Sequence, residues 1–124
     1  MKDCCAGDGK KTVLIYACSG AANVAEAADL AARRLMAEGG GSMFCLAGLG
    51  ADIPAMVQTA RDAALNLILE GCSMDCARKI FDRHGLVNYK QVRVTDLGIE
   101  KSKGVRATGE QVARVVAAAR EALA

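Results

Sequence analysis

Six of the 124 residues are cysteines, and four of them stand where a thiol could do chemistry. Cys18 closes the run TVLIYAC, Cys45 closes SMFC, Cys72 closes LNLILEGC, and Cys76 follows about one helical turn later. Burial alone would scatter cysteines along strand interiors and helix faces, since a free thiol packs as a small hydrophobe. Three apolar runs that each end in a thiol converge on one edge if the runs pair side by side. Thiolates there could hold zinc or an iron–sulfur cluster, or could act as redox or sulfur-relay groups. On spacing alone these chemistries stand side by side, because a dispersed set with one C-x3-C pair is less specific than two C-x2-C pairs.

The elements that must position these thiols follow from periodicity. Residues 1–11, MKDCCAGDGKK, show none and read as a flexible leader, with Cys4 and Cys5 as exposed thiols outside the site. From Thr12 to the end the chain reads as a single α/β metal-binding domain. Thr12 to Cys18 is an apolar, β-branched strand. Asn23 to Glu38 then repeats Val24, Ala27, Ala28, Ala31 and Leu35 at helical spacing, with Asn23 and Glu26 as a candidate capping box. Three glycines at 39–41 end that helix before a short second strand, Ser42 to Leu46, expected to be buried on both faces.

Gly48-Leu49-Gly50 reads as a turn, Asp52 as a cap, and Pro54 as a first-turn residue of a helix running to about Asp62. Ala64 to Leu69 is a third strand, Ser73 to about Arg83 a third helix, and Tyr89 to Thr95 a fourth strand. Thr108 and Gln111 offer a capping box for a last helix with Val112, Val115, Val116, Ala119 and Leu123 on its apolar face. Strand and helix alternate four times, the pattern of βαβ units. The expected fold is a doubly wound, Rossmann-like, four-stranded parallel sheet in the order 2-1-3-4 with helices on both faces. Ligands in such sheets bind at the carboxyl ends of the strands, beside the point where the winding reverses.

Whether four thiols can meet there is a question of reach. Neighbouring strands lie about 4.8 Å apart, so the ends of strands 2 and 3 are about 10 Å from each other across strand 1. Tetrahedral zinc, with Zn–S near 2.3 Å, needs sulfurs roughly 3.8 Å apart. Loops beyond the ladder must therefore draw the outer thiols inward. Cys72 and Cys76 are easier, with Cβ atoms about 5–6 Å apart if that stretch is helical. Helix N-termini aimed at this edge favour thiolates. Arg78 or Lys79 could offset the negative charge that four thiolates leave on a dication.

Cys18 in YACSG, Cys45 in CLAGLG, the element Glu70-Gly71-Cys72-Ser73-Met74-Asp75-Cys76-Ala77 and the later VTDLGIEKSKG together resemble the DGC domain family, small proteins taken to bind zinc through four cysteines. The resemblance runs from about Thr12 to the last helix. It implies a zinc site at Cys18, Cys45, Cys72 and Cys76 and lends no catalytic residue. The family's element is usually Asp-Gly-Cys, and here Glu70 replaces the aspartate.

Other polar residues near the strand ends have ordinary uses to set beside functional ones. His84, the one histidine, falls at the end of the third predicted helix, where an imidazole can approach the last carbonyls; that is the opposite end from Cys76. Lys101 and Lys103 sit on the thiol rim, as solvated loop residues or as holders of an anionic ligand. Glu70 and Asp96 could orient a ligand or a bound water, or cap a helix.

The remaining composition excludes several classes. Sixteen basic and fourteen acidic residues, interspersed, give a net charge of +2 and argue for neither nucleic acid nor an anionic membrane surface. No run approaches the roughly 18–20 apolar residues of a membrane span, and the start lacks the apolar middle of a signal peptide. The expected location is cytoplasmic, where thiols stay reduced and a disulfide framework is disfavoured. A Cys-x5-Arg phosphatase loop is missing, since Val24 stands six residues after Cys18. GxxxxGK[ST], GxGxxG and C-x2-C are missing too. The sequence thus points to a binding module more than to an enzyme, with a metal ion as its partner and room for an unidentified protein partner.

Overall fold

The computed structural model describes residues 12–124. The expected leader, with Cys4 and Cys5, lies outside these residues. In chain order the elements are β1 (Val13–Ala17), α1 (Asn23–Ala37), β2 (Ser42–Met43), α2 (Leu46–Gly50), α3 (Pro54–Asp62), β3 (Leu65–Glu70), α4 (Cys76–Arg83), β4 (Tyr89–Arg93) and α5 (Gly109–Leu123), with a 3₁₀ turn at Val94–Leu97 after β4. The strands form one parallel sheet in the order β2-β1-β3-β4, as the alternation of strand and helix predicts. Leu14 pairs with Ser42 on one side and with Asn66 on the other, and Asn66 pairs in turn with Tyr89.

Side chains alternate across a strand, so each strand feeds two layers. Ile15, Leu67, Leu69 and Val92 pack with Ala27, Ala28, Ala31, Leu35, Val115, Val116 and Ala119 of α1 and α5. Leu14, Tyr16 and Ile68 pack on the other face with Leu49, Met56, Ala60, Ala77 and Phe81 of α2, α3 and α4. Ala27, Ala28, Ala31 and Ala32 of α1 are fully buried, which brings that helix close to the sheet. Tyr16 meets Phe81 edge to face, with centroids 5.1 Å apart.

A buried polar lock joins Tyr16 of β1 to the start of β3 and the approach to β4. The buried Tyr16 hydroxyl donates to Asn66 Oδ1 at 2.7 Å. The Asn66 amide donates to the carbonyls of Ala60 and Asn88 at 2.9 and 3.1 Å. Asn88 in turn donates to the carbonyls of Ala63 and Ala60 at 2.9 and 3.1 Å. Among the described residues, no buried side-chain nitrogen or oxygen lacks a partner.

Several local expectations change. The second strand is two residues long and partly exposed, because only β1 flanks it and the chain leaves the ladder at Phe44. Gly48-Leu49-Gly50 belongs to the short helix α2 rather than to a free turn; a Cβ on Gly48 would collide with the Met56 side chain. Asp52 does not cap α3. It takes a left-handed backbone (φ 61°) and its carboxylate pairs with Arg83 and His84, leaving Ile53 at the N-cap. Asn23 opens α1 without capping it, for a reason that belongs to the site. The Thr108–Gln111 capping box is present in both directions, at 3.1 and 3.0 Å. Among the described residues, no helix is long and apolar enough to cross a membrane.

Candidate metal centre

After β1 the chain turns through α1 toward β2, and after β3 it turns through α4 toward β4. Connections that diverge in this way open a crevice between the carboxyl ends of the two central strands. Here the crevice is a cavity of about 150 Å³ between the segments 18–22 and 70–76, with 101–103 as its third wall. Cys18, Cys72 and Cys76 line it, together with Glu70, Asp75, Met74, Lys101 and Lys103. Its other lining residues, Ser19, Gly20, Ala21, Ala22 and Gly71 among them, are small and leave the space open.

Cys18 is placed by the end of β1. Its N–H still bonds to the Leu69 carbonyl at 3.1 Å, and its Sγ accepts the Gly71 N–H at 3.0 Å. A Cβ on Gly71 would stand 3.2 Å from that sulfur and from Val24 Cγ2. Glycine at the centre of Glu70-Gly71-Cys72 therefore lets β3 pass close to the Cys18 thiol. Burial pushes that thiol above its ordinary value of 9.0. The Gly71 N–H opposes the shift, and the negative fields of Glu70, Cys76 and Cys72 add to it. Three sulfurs and a carboxylate thus share one local field.

Cys76 is the first residue of α4 and is exposed. The helix was expected from Ser73, but Asp75 takes a left-handed conformation (φ 53°, ψ 44°) and delays it to Cys76. Aspartate tolerates that conformation better than most residues. Its carboxylate is held by the Arg93 guanidinium at 2.8–3.1 Å and by Gln91 at 2.8 Å. Arg93 keeps the Asp75 carboxyl below its usual range. Cys72 consequently lies in a turn before the helix, its carbonyl accepting the Asp75 N–H at 3.2 Å, rather than one helical turn below Cys76. Its Sγ lies 3.4 Å from Lys101 Nζ.

Glu70, buried at 1% exposure, has structural work instead of a ligand to orient. Its two oxygens accept the N–H groups of Ala77 and Arg78 at 3.2 and 2.9 Å, satisfying the first turn of α4 from the end of β3. The longer side chain that replaces the family's usual aspartate is the one that reaches these amides here. Asn23 has a comparable role at the third wall. Its side chain accepts the Ser102 N–H at 2.7 Å and donates to the Glu100 carbonyl at 2.9 Å, which ties the lysine-bearing segment to the start of α1. Glu26, the other half of the expected capping box, instead holds Arg106 and the Ala107 N–H.

The remaining candidates lie elsewhere. Cys45 is on the same edge of the sheet, at the N-cap of α2, but it is partly buried against the Tyr16 and Leu49 layer and does not line the cavity. His84 closes α4, its Nε2 2.8 Å from the Leu49 carbonyl and 3.1 Å from Asp52 Oδ1. It lies at the expected end of its helix, opposite Cys76, but its contact is with a carbonyl of α2 rather than with the last carbonyls of α4. Asp96 is exposed and pairs with Arg93 at 3.2 Å, outside the cavity. Lys79 lies outside the cavity lining, as does Arg78. Asp75 and Asn23 are the positioning residues that sequence reasoning missed. No local signal marks either role, since their partners, Arg93 for Asp75 and Ser102 and Glu100 for Asn23, are distant in sequence.

Cys18, Cys45, Cys72 and Cys76 are all free thiols. Among the described residues, no three Cys, His, Asp or Glu side chains converge closely enough to hold a metal ion as placed. Both nearby carboxylates are occupied with N–H or guanidinium groups, which leaves three thiols, the Met74 thioether and the Ser19 hydroxyl in the lining, and the sulfurs among them suit soft metals.

Residues 14–119 match the DGC domain family. The chain is also 37% identical over 91 residues to the anaerobic and virulence modulator AnvM of Pseudomonas aeruginosa, covering 73% of this chain and 70% of that protein. No solved structure matches it.

Proposed function

The chain belongs to the DGC domain family, and from that premise we propose that the crevice between β1 and β3 is a thiolate centre that holds zinc through Cys18, Cys72 and Cys76. The observation that carries this reading is the assembly of three free thiols, from two strand ends and one helix start, around one cavity. Rotation about one side-chain bond moves each sulfur between staggered positions, so closure on a metal asks little of the sheet. The Gly71 N–H on Cys18 and the ammonium beside Cys72 are outer partners of the kind that steady thiolate ligands. Bound zinc would cross-link the two diverging connections. Cys45 completes the set of four that family resemblance implies, and its present seat under α2 makes it the ligand to test first.

We place the protein in the reducing cytoplasm, as a binding module with a metal ion and an unidentified protein as partners. The relative's name, a modulator, accords with a binding module more than with an enzyme. A second reading, redox or sulfur-relay chemistry on the same thiols, draws support from the cation 3.4 Å from Cys72 and from the separation of the donors as placed.

Metal content and visible absorption of protein purified without chelator decide between them. A stoichiometric, colourless zinc supports the proposal, and a brown chromophore replaces zinc with an iron–sulfur cluster. Metal-free protein with rapidly alkylated thiols favours the second reading.

A further inference from the structure

We propose that the mouth of the cavity is part of a docking groove for a short acidic segment of a partner protein, one that carries a bulky apolar side chain between its acidic residues. The inference goes beyond the metal reading and does not depend on it.

Shape gives the groove. A second, shallower depression, lined by Glu26, Gly104, Val105 and Arg106, lies beside the thiol cavity, and the two share the wall formed by Gly20, Ala21 and Ala22. These are among the smallest residues, so little side-chain bulk separates the hollows. Met74 lines one and Val105 the other, and they are 58% and 54% exposed. Large apolar side chains left in water on both sides of a trough gain from a partner's cover. At about 150 Å³ the cavity is too small for a drug-sized ligand, whose sites run to roughly 300 Å³ or more, and suits a single inserted side chain.

Charge then selects the occupant. Residues 101–106 carry Lys101, Lys103 and Arg106 and no acid, and Glu100 before them lines neither hollow. The acids of the lining are engaged: Glu70 with the first amides of α4, Asp75 with Arg93, and Glu26 with Arg106 and the Ala107 N–H. Lys101 leans on Cys72 Sγ at 3.4 Å, but Lys103 pairs with no acid among the described residues. The Arg106 side chain stays 85% exposed in spite of its bond to Glu26. Three cations along one rim of an apolar trough complement acids that flank an apolar anchor. The rim is also anchored. The Asn23 N–H donates to the Ser102 carbonyl at 3.1 Å and the Gly104 N–H to the Ala21 carbonyl at 2.9 Å, and the Asn23 side chain holds Ser102 and Glu100. A rim already held in place loses little freedom when a partner binds.

The test titrates isotope-labelled full-length protein, kept reduced, with capped pentapeptides in which two glutamates stand on each side of a central Leu, Phe, Ala or Lys. Amide chemical shifts report where each peptide binds and how tightly. The Leu and Phe peptides should move the amides of 20–22, Met74 and 101–106, and the Ala peptide should bind roughly tenfold more weakly. Lys103→Glu combined with Arg106→Glu should weaken the Leu peptide at least about tenfold, and Val105→Ser about threefold. All three positions are exposed, so both variants should fold, which far-UV circular dichroism checks. Absence of shifts up to about 1 mM peptide, or shifts scattered away from the trough, overturns the proposal. Equal affinity for the Leu and Ala peptides shows that charge alone binds, and tighter binding of a single-stranded oligonucleotide than of any peptide assigns the rim to nucleic acid; either result overturns it as well. Metal content, measured separately, decides the zinc reading.

Discussion

On the two sides of β1 the carboxyl edge of the sheet is finished differently. Toward β3, connections leave in opposite directions, and the gap between them is walled by glycines, alanines and three thiols. Toward β2, the chain passes through Phe44 and Cys45 directly into α2, whose Leu49 fills the layer beside Tyr16. A thiol at the first place faces a cavity, and a thiol at the second becomes packing. Position at a strand end is therefore insufficient for a role in the site; divergence of the neighbouring connections also matters.

The largest test of this contrast exchanges each thiol for serine. Cys18→Ser, Cys72→Ser and Cys76→Ser should each weaken zinc by more than the roughly 10–100-fold that loss of an outer partner costs, measured by competition with a chromophoric chelator. Cys45→Ser should change affinity little. Equal losses at all four would erase the distinction between the two sides.

Next in size is Glu70→Ala, which strips the partner from the buried Ala77 N–H and from Arg78. Denaturant unfolding should show a loss of about 2 kcal/mol. An unchanged midpoint would mean that α4 does not depend on the end of β3.

Proton linkage gives a smaller effect. Burial raises the Cys18 thiol above 9.0, so in the metal-free protein it is protonated at neutral pH and zinc must displace that proton. Zinc affinity should rise with pH, about tenfold per unit for each proton displaced, until the thiol's own raised value is passed. A flat profile between pH 6 and 8 would remove Cys18 from the ligand set. At the bottom of the scale, His84→Ala should leave zinc affinity unchanged and cost about 1 kcal/mol of stability through its lost contact with the Leu49 carbonyl.

Much of the fold was legible because it follows from repetition. Apolar runs alternating with amphipathic segments fix a parallel sheet, and right-handed crossovers leave few orders, among them the observed one. Cys18, Cys72 and Cys76 were legible as rim residues for the same reason. What escaped depends on contacts distant in sequence. Asn23 looks like a cap locally, but its partners are Glu100 and Ser102. The left-handed turn at Asp75 is backed by Arg93 and Gln91, eighteen and sixteen residues on, and these pairings accompany the start of α4 at Cys76. The direction of Cys45 was unreadable because β2 pairs through two residues, too short a run to fix which way the next side chain points.

The buried Tyr16–Asn66–Asn88 lock has a mechanical meaning for the molecule. It ties Tyr16 of β1 to the start of β3 and the approach to β4, while the carboxyl ends of β1 and β3 run out into segments of glycine, alanine and serine. The sheet is thus a comb clasped at its spine, with teeth whose tips can bend. Amide hydrogen exchange should be slowest around Asn66 and fastest across 18–22 and 71–75. Rearrangements at the tips can then proceed without loosening the clasp, which leaves the connections between β1 and β3 free to vary in length and composition while the same four strands stay in register.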